Sequence, residues 1–150
     1  MGSRHFVPYY SPRVIAPSWG VRCFVRVEAI NQFVGCIERL INGEQVDLYG
    51  DRVSSSFEYI AAEILTEQLI EGIWYDGVSN MVATVENSNR VVFSGNMYVC
   101  LNQEKFWQEP FKAVVKDERV SHNGVRVYVK IGELEGEKEL LSMEWHYRNT

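Results

Sequence analysis

Apolar and polar side chains alternate most regularly in the C-terminal third of the chain, over residues 111–147. Within it, the segment VRVYVKI at 125–131 has an apolar residue at every second position, the period of a β-strand with one buried face. Asn123-Gly124 stands just before this segment and favours a type I′ hairpin turn. A second turn is predicted at Glu135-Gly136-Glu137, so the strands form an antiparallel meander. Its third run has Leu141, Met143, Trp145 and Tyr147 on one side and Ser142, Glu144 and His146 on the other.

Two segments in the N-terminal half have the apolar spacing of amphipathic helices. The first follows Asn31, which can cap it, and ends before Gly43. The second begins at Ser55, which forms a predicted capping box with Glu58, and extends to Gly72. The apolar arc of this second helix consists of Phe57, Ile60, Ala61, Ile64, Leu65 and Leu69.

The remaining alternations predict further strands. In residues 21–28, Val21, Cys23, Val25 and Val27 alternate with Arg22, Phe24, Arg26 and Glu28, which predicts a strand with an arginine-rich outer face. The short apolar piece at 46–49 fits either a strand or a connection. Asp76-Gly77 predicts a turn, and Pro110 marks a sheet edge or the start of the strand after it. Other strand candidates are 81–86, 90–93, 97–101 and 106–107, with turns or bulges at 87–89 and 94–96.

This order of elements predicts one α+β domain over residues 20–150. Strands that follow helices along the chain favour a curved antiparallel sheet, here of about five to six strands, packed against the two helices. Residues 1–19 contain three prolines together with several large apolar side chains, which predicts an extended arm that packs on the domain.

In outline this architecture resembles the cystatin-like group of folds, which includes the nuclear-transport-factor-like domains. The resemblance implies a sheet whose concave face can hold a pocket for a small apolar molecule. Tyr128 and either Trp74 or Trp107 are the candidates to line that pocket, and Asp76 or Asp117 could act there as an acid or base.

The net charge of −5 is distributed unevenly along the chain. Four arginines and no acidic residue precede Glu28, so the rest of the chain, with 11 basic and 20 acidic residues, carries a net charge of −9. An acidic body argues against binding to the phosphate backbone of nucleic acids. It favours encounter with a basic protein partner instead.

The three cysteines, Cys23, Cys36 and Cys100, lack the CxxC spacing of a zinc site, and their odd number does not suggest a disulfide framework. We expect Cys23 and Cys100 to be small buried residues. No cofactor or metal is expected. The chain has no apolar run of membrane-spanning length, which predicts a cytoplasmic protein that makes no contact with a membrane.

Motifs for nucleotide, metalloprotease or serine-hydrolase chemistry do not occur in the sequence. The most enzyme-like arrangement is the polar side of the last run, where Glu144 and His146 are two residues apart. A carboxylate beside an imidazole can orient it as a base, but the same spacing is typical of an ordinary hydrated strand face. Whether the protein is an enzyme is left open, and a non-enzyme is favoured.

Acidic side chains occur in two groups. One group is a predicted helical stripe at four-residue spacing, and the other alternates around the predicted turn near Gly136. These groups are Glu63, Glu67 and Glu71, and Glu133, Glu135, Glu137 and Glu139.

Together these features predict a small acidic protein-binding domain, similar in size and charge to bacterial immunity proteins, that neutralises a basic partner. The acidic groups would contact that partner, although acidic turns and helix faces are also common on proteins that bind nothing there. The alternative is the pocketed domain for a small apolar molecule. A free edge strand would also permit a homodimer by strand addition.

Overall fold

A computed structural model describes residues 19–118 and 124–141 of the chain. The two helices precede one antiparallel sheet whose five strands lie side by side in chain order. The predicted α+β class, with a curved antiparallel sheet against two helices from the N-terminal half, is confirmed. The elements are α1 (Trp19–Ile41), α2 (Val53–Ile64), β1 (Ile73–Asn87), β2 (Arg90–Leu101), β3 (Lys105–Asp117), β4 (Val125–Ile131) and β5 (Leu134–Leu140).

The strand predicted at 21–28 is wrong, because these residues form the first turns of the 23-residue helix α1. Residues four apart fit both the strand period and the helix period, so the segment alone is ambiguous. The longer pattern is helical, since Cys23, Val27, Ile30, Val34, Ile37 and Ile41 follow one another at spacings of three and four. Asn31 consequently lies inside α1 and does not cap it.

The capping box predicted for α2 is also wrong. The helix begins at Val53, and Arg52 precedes it in the left-handed region with φ 62° and no side-chain cap. The Ser55 hydroxyl donates to the carbonyl oxygen of Arg52 at 3.2 Å, so it does not cap a backbone N–H. The helix ends at Ile64, well before Gly72, because the chain turns after the fully buried Leu65 to reach β1.

The piece at 46–49 is a connection. The Asp47 carboxylate accepts hydrogen bonds from the backbone N–H groups of Tyr49, at 3.2 Å, and Gly50, at 2.9 Å. A side chain that bonds the backbone two and three residues ahead stabilises a turn in place of a strand ladder.

Two predicted turns lie inside strands. Asp76-Gly77 falls in β1, at a shift of register between Tyr75 and Val78. Glu135-Gly136-Glu137 falls in β5, and the turn before it consists of Gly132 and Glu133, between the paired residues Ile131 and Leu134. Gly132 has φ 60°, the positive value that the first central residue of a type II′ turn requires.

Gly136 serves close packing and does not form a turn. A Cβ atom on it would lie 3.2 Å from the Cγ2 atom of Ile64, so β5 runs against the end of α2 at this point. The antiparallel pairing predicted between the strands at 111–117 and 125–131 is confirmed by the register of Phe111 with Ile131 and of Asp117 with Val125. The two-residue turn predicted at Asn123-Gly124 is wrong, because that register makes residues 118–124 the connection between the strands. Asn123 itself, the arm up to residue 18 and the run from 142 to 147 lie outside the described residues.

The core lies between the helices and one face of the sheet, which we call the inner face. Four phenylalanine rings meet at its centre, one from each helix and one each from β2 and β3. Ring centroids lie 4.8 to 6.5 Å apart, which is the range in which aromatic pairs attract. The rings belong to Phe33, Phe57, Phe93 and Phe111.

Gly95 leaves room for the backbone of β1 and the Phe111 ring of β3 to approach β2 closely. Its segment, predicted as a turn or bulge, lies inside β2, and a Cβ atom there would be 2.9 Å from the Ser79 carbonyl oxygen and from the Phe111 ring. We expect Gly95→Ala to lower the free energy of unfolding by about 1–3 kcal/mol, as overpacking does. Gly35, in α1, is the matched control, because nothing lies within 4 Å of its added Cβ.

For Gly35→Ala we expect the free energy of unfolding to rise by about 0.5–1 kcal/mol, because alanine has a higher helix propensity than glycine. Urea denaturation of both variants measures the two changes. Equal effects of the two substitutions would contradict the packing assigned to Gly95.

Candidate binding surface

The face of the sheet away from the helices, here called the outer face, carries most of the charged side chains of the strands. Val127 and Val129 of β4 are buried on the inner face, so their neighbours Arg126, Tyr128 and Lys130 point outward. The antiparallel register then aligns residues of β2 to β5 in three outward rows. These rows are Arg90, Lys116, Arg126 and Glu139; Val92, Val114, Tyr128 and Glu137; and Ser94, Lys112, Lys130 and Glu135.

The rows divide the outer face by charge. Strands β2 to β4 contribute the basic side chains, and β5 contributes only glutamates. The three outward glutamates of β5, Glu135, Glu137 and Glu139, are exposed, as is Glu133 in the turn before them. Because the side chains of one strand face are about 7 Å apart, they form a continuous acidic row, which we call the β5 acidic row.

Glu135 has a partner on the neighbouring strand. The Tyr128 hydroxyl donates to its Oε1 atom at 2.9 Å. This hydrogen bond to the carboxylate, followed by desolvation, raises the pKa of Tyr128, so the phenol stays protonated as a donor. The bond orients the Glu135 side chain without neutralising its charge.

The β5 acidic row lies on the edge of the described sheet. Ile131 and Leu134 flank a two-residue turn, so this pair exchanges its main-chain hydrogen bonds with each other. Alternation then directs the main-chain N–H and C=O groups of Glu135, Glu137 and Glu139 away from β4. The Gln68 side-chain amide donates to the Glu135 carbonyl at 2.7 Å, and no strand among residues 19–118 and 124–141 pairs along this edge.

Glu63, by contrast, is engaged within the molecule. Arg26 approaches its carboxylate with Nε at 2.9 Å and a terminal nitrogen at 3.1 Å, and the Lys138 ammonium lies 2.9 Å away. Burial would raise the pKa of Glu63, but the hydrogen bonds from Arg26 and Lys138 outweigh it and hold the pKa below its ordinary value. Glu63 therefore joins α1, α2 and β5.

The predicted helical stripe of three glutamates does not form. Because α2 ends at Ile64, Glu67 and Glu71 lie on the exposed connection to β1 and not on a helix with Glu63. The two acidic groups of the sequence therefore do not form one surface that includes Glu63, which faces the inner side.

The three pocket candidates are not brought together. Tyr128 and Trp74 both belong to the outer face, but their rows cross β2 at Val92 and Cys100, eight residues or roughly 26 Å apart. Trp74 is buried against Cys100. Trp107 lies on the inner face, where its indole N–H donates to the Glu109 carboxylate at 2.9 Å. The space between sheet and helices is filled at its centre by the phenylalanine rings described above.

Sequence reasoning missed a depression of about 240 Å³ on the outer face. The depression is lined by Arg90, Val114, Lys116, Arg126, Tyr128 and Glu137. Alternation along each strand identifies the outward side chains, but only the register between strands shows which of them meet.

No protein-family model matches the chain, and neither a curated protein nor a solved structure matches it. The geometry of the outer face is therefore the basis for any functional inference.

Other chemistry has little support in the described part of the chain. Burial raises the pKa of the Cys36 thiol to about 12, which leaves it protonated and unreactive at neutral pH, and Cys100 is buried as predicted. Among the described residues, no three His, Cys, Asp or Glu side chains are grouped as metal ligands require, and no helix has both the length and the apolarity to span a membrane. Glu144 and His146 lie outside the described residues.

Proposed function

We propose that this protein is a protein-binding domain that engages a basic segment of a partner protein through the β5 acidic row and Glu133. The observation that supports the proposal is the placement of three exposed glutamates on one face of an edge strand. Their spacing of about 7 Å matches that of alternate residues in an extended basic segment, so each carboxylate can meet one lysine or arginine.

Charge also favours a different protein over a second copy of this chain at that edge. Antiparallel pairing of two β5 strands would bring glutamates of one copy opposite glutamates of the other, and like charges in that position are destabilising. A basic strand in the same position would instead place a lysine or arginine opposite each glutamate, and those contacts are attractive. A cytoplasmic inhibitor that neutralises a basic protein, in the manner of an immunity protein, would use such a surface.

Neutralisation of the row tests this proposal. We expect the triple variant Glu135→Gln, Glu137→Gln and Glu139→Gln to bind the partner about tenfold more weakly. Three exposed ion pairs at roughly 0.5 kcal/mol each contribute about 1.5 kcal/mol, and 1.4 kcal/mol is one decade in affinity. The partner is first captured from lysate on the wild-type protein at low salt, and its affinity for each variant is then measured.

The matched control is the triple variant Glu67→Gln, Glu71→Gln and Glu104→Gln. All three of its positions are exposed, and it has the same net charge as the β5 variant. It should bind the partner within about twofold of wild type, which is the scatter expected of surface substitutions. Equal loss in both variants would attribute binding to net charge and contradict the proposed surface, as would the absence of any specific partner for the wild-type protein.

A further inference from the structure

Three cations lie side by side on the outer face. Arg90, Lys116 and Arg126 are register partners on β2, β3 and β4, and their side chains point outward. Neighbouring strands are about 4.8 Å apart, so the outer two members of this row are separated by roughly 10 Å. Like charges directly opposite one another are destabilising unless counter-charges neutralise them.

Carboxylates neutralise the two ends of the row. Glu86 places its Oε1 atom 2.6 Å from the Arg90 Nε atom, and Glu118 places its Oε1 atom 3.3 Å from the Arg126 Nε atom. Lys116, in the middle, makes no ion pair within the described residues. Its ammonium group is the one cation of the row without a carboxylate partner among residues 19–118 and 124–141.

Lys116 also borders the 240 Å³ depression. The half-buried Val114 provides apolar surface there. Tyr128 and Glu137 belong to the same row as Val114, and the three cations form the neighbouring row. Each guanidinium has five N–H donors, so the carboxylate at Nε leaves others that can reach a ligand. The site thus combines a small volume with donors that converge from three strands.

We propose that this depression binds the oxyanion group of a small ligand, a carboxylate or a phosphate, at Lys116 between the two guanidinium groups. Arginine forks match the planar and tetrahedral oxygen arrangements of these groups, and lysine adds a point charge. Glu137, in the neighbouring row, repels such a ligand, so removal of its charge should strengthen binding. The site goes beyond the proposed function and does not depend on it.

The test is an NMR titration of the ¹⁵N-labelled protein with sodium phosphate and with sodium acetate, each against sodium chloride at equal ionic strength. We expect saturable shifts of the Lys116 and Arg126 amides and of the arginine Nε–H signals with at least one oxyanion. Saturation by phosphate would show that the site accepts a phosphoryl group, and saturation by acetate alone that it selects a carboxylate.

Two substitutions should act with opposite sign. Lys116→Met should lower the affinity for the oxyanion by at least about fivefold. Glu137→Gln should raise that affinity about threefold, which is the change expected when one unit charge at roughly 6 Å in water is removed. Lys112→Met is the control, because Lys112 is exposed on the same strand face but belongs to another row. It should change the affinity less than twofold.

Several results would overturn the site. They are shifts no larger than those caused by chloride, a Lys116→Met variant that binds like wild type, and equal losses in Lys116→Met and Lys112→Met. Thermal unfolding of each variant checks that the domain is intact, which is expected because both lysines are exposed.

Discussion

Replacement of Phe57 by alanine is expected to lower the free energy of unfolding by about 3–5 kcal/mol, the usual cost of removing a fully buried phenyl ring. Phe57 has no exposed surface, and its ring lies 4.8 Å from that of Phe111, 6.1 Å from that of Phe33 and 6.5 Å from that of Phe93. Its removal therefore leaves a cavity at the point where α2 packs on the sheet.

Equilibrium urea denaturation followed by circular dichroism measures this change. Phe106→Ala is the matched control, because the same ring is removed from an outer-face position that is 59% exposed. That variant should differ from wild type by less than about 1 kcal/mol. Similar losses in the two variants would contradict the inner and outer faces assigned to the sheet.

Glu63→Gln is expected to cost about 1–2 kcal/mol at neutral pH, since charge-assisted hydrogen bonds contribute roughly this much when their partners are partly exposed. The Glu63 side chain is only 17% exposed. It pairs with Arg26 and also with Lys138, which lies 75 positions from Glu63 along the chain. Glutamine retains the volume and one acceptor but loses the charge that both cations face.

The effect of this substitution should depend on pH. The pKa of Glu63 is lower in the folded protein than in the unfolded chain, where a glutamate titrates near about 4.3. Its contribution is therefore fully present above that unfolded value and is lost as the pH falls through the folded pKa. The difference in unfolding free energy between wild type and Glu63→Gln should be constant from pH 7 to pH 5 and should shrink in more acidic solution.

Glu71→Gln serves as the control for this measurement, because Glu71 is exposed on the connection to β1. Its unfolding free energy should follow that of wild type at every pH. If the loss of unfolding free energy in Glu63→Gln were as large in acid as at neutral pH, the charge of Glu63 would not be what holds α1, α2 and β5 together.

Strands of the sheet could be predicted from the sequence where a single segment shows the apolar–polar alternation by itself. β4 alternates strictly, residues 111–116 of β3 alternate except at Val114, and a turn dipeptide lies between the two strands, so their pairing followed from the sequence. Residues 21–28 were misassigned because spacings of four satisfy two periods, and only the extension through Ile41 resolves them. The glycine in EGE was taken for a turn, since a glycine required by close packing against Ile64 carries no local signal.

The binding surface could be predicted only in part. Alternation placed Glu135, Glu137 and Glu139 on one face, although the turn was assigned to the wrong residues. The pairing of Glu63 with Lys138 depends on how α2 packs against β5, which local patterns do not encode. The row of Arg90, Lys116 and Arg126 likewise depends on strand register across the sheet.

Contact between the acidic outer face of β5 and the partner can be observed by NMR, by titrating the ¹⁵N-labelled protein with the partner that the wild-type domain captures. We expect the largest shifts at Glu133, Glu135, Glu137 and Glu139, and we expect them to diminish as salt is added. Shifts centred on Glu67 and Glu71, with β5 unchanged, would contradict this contact.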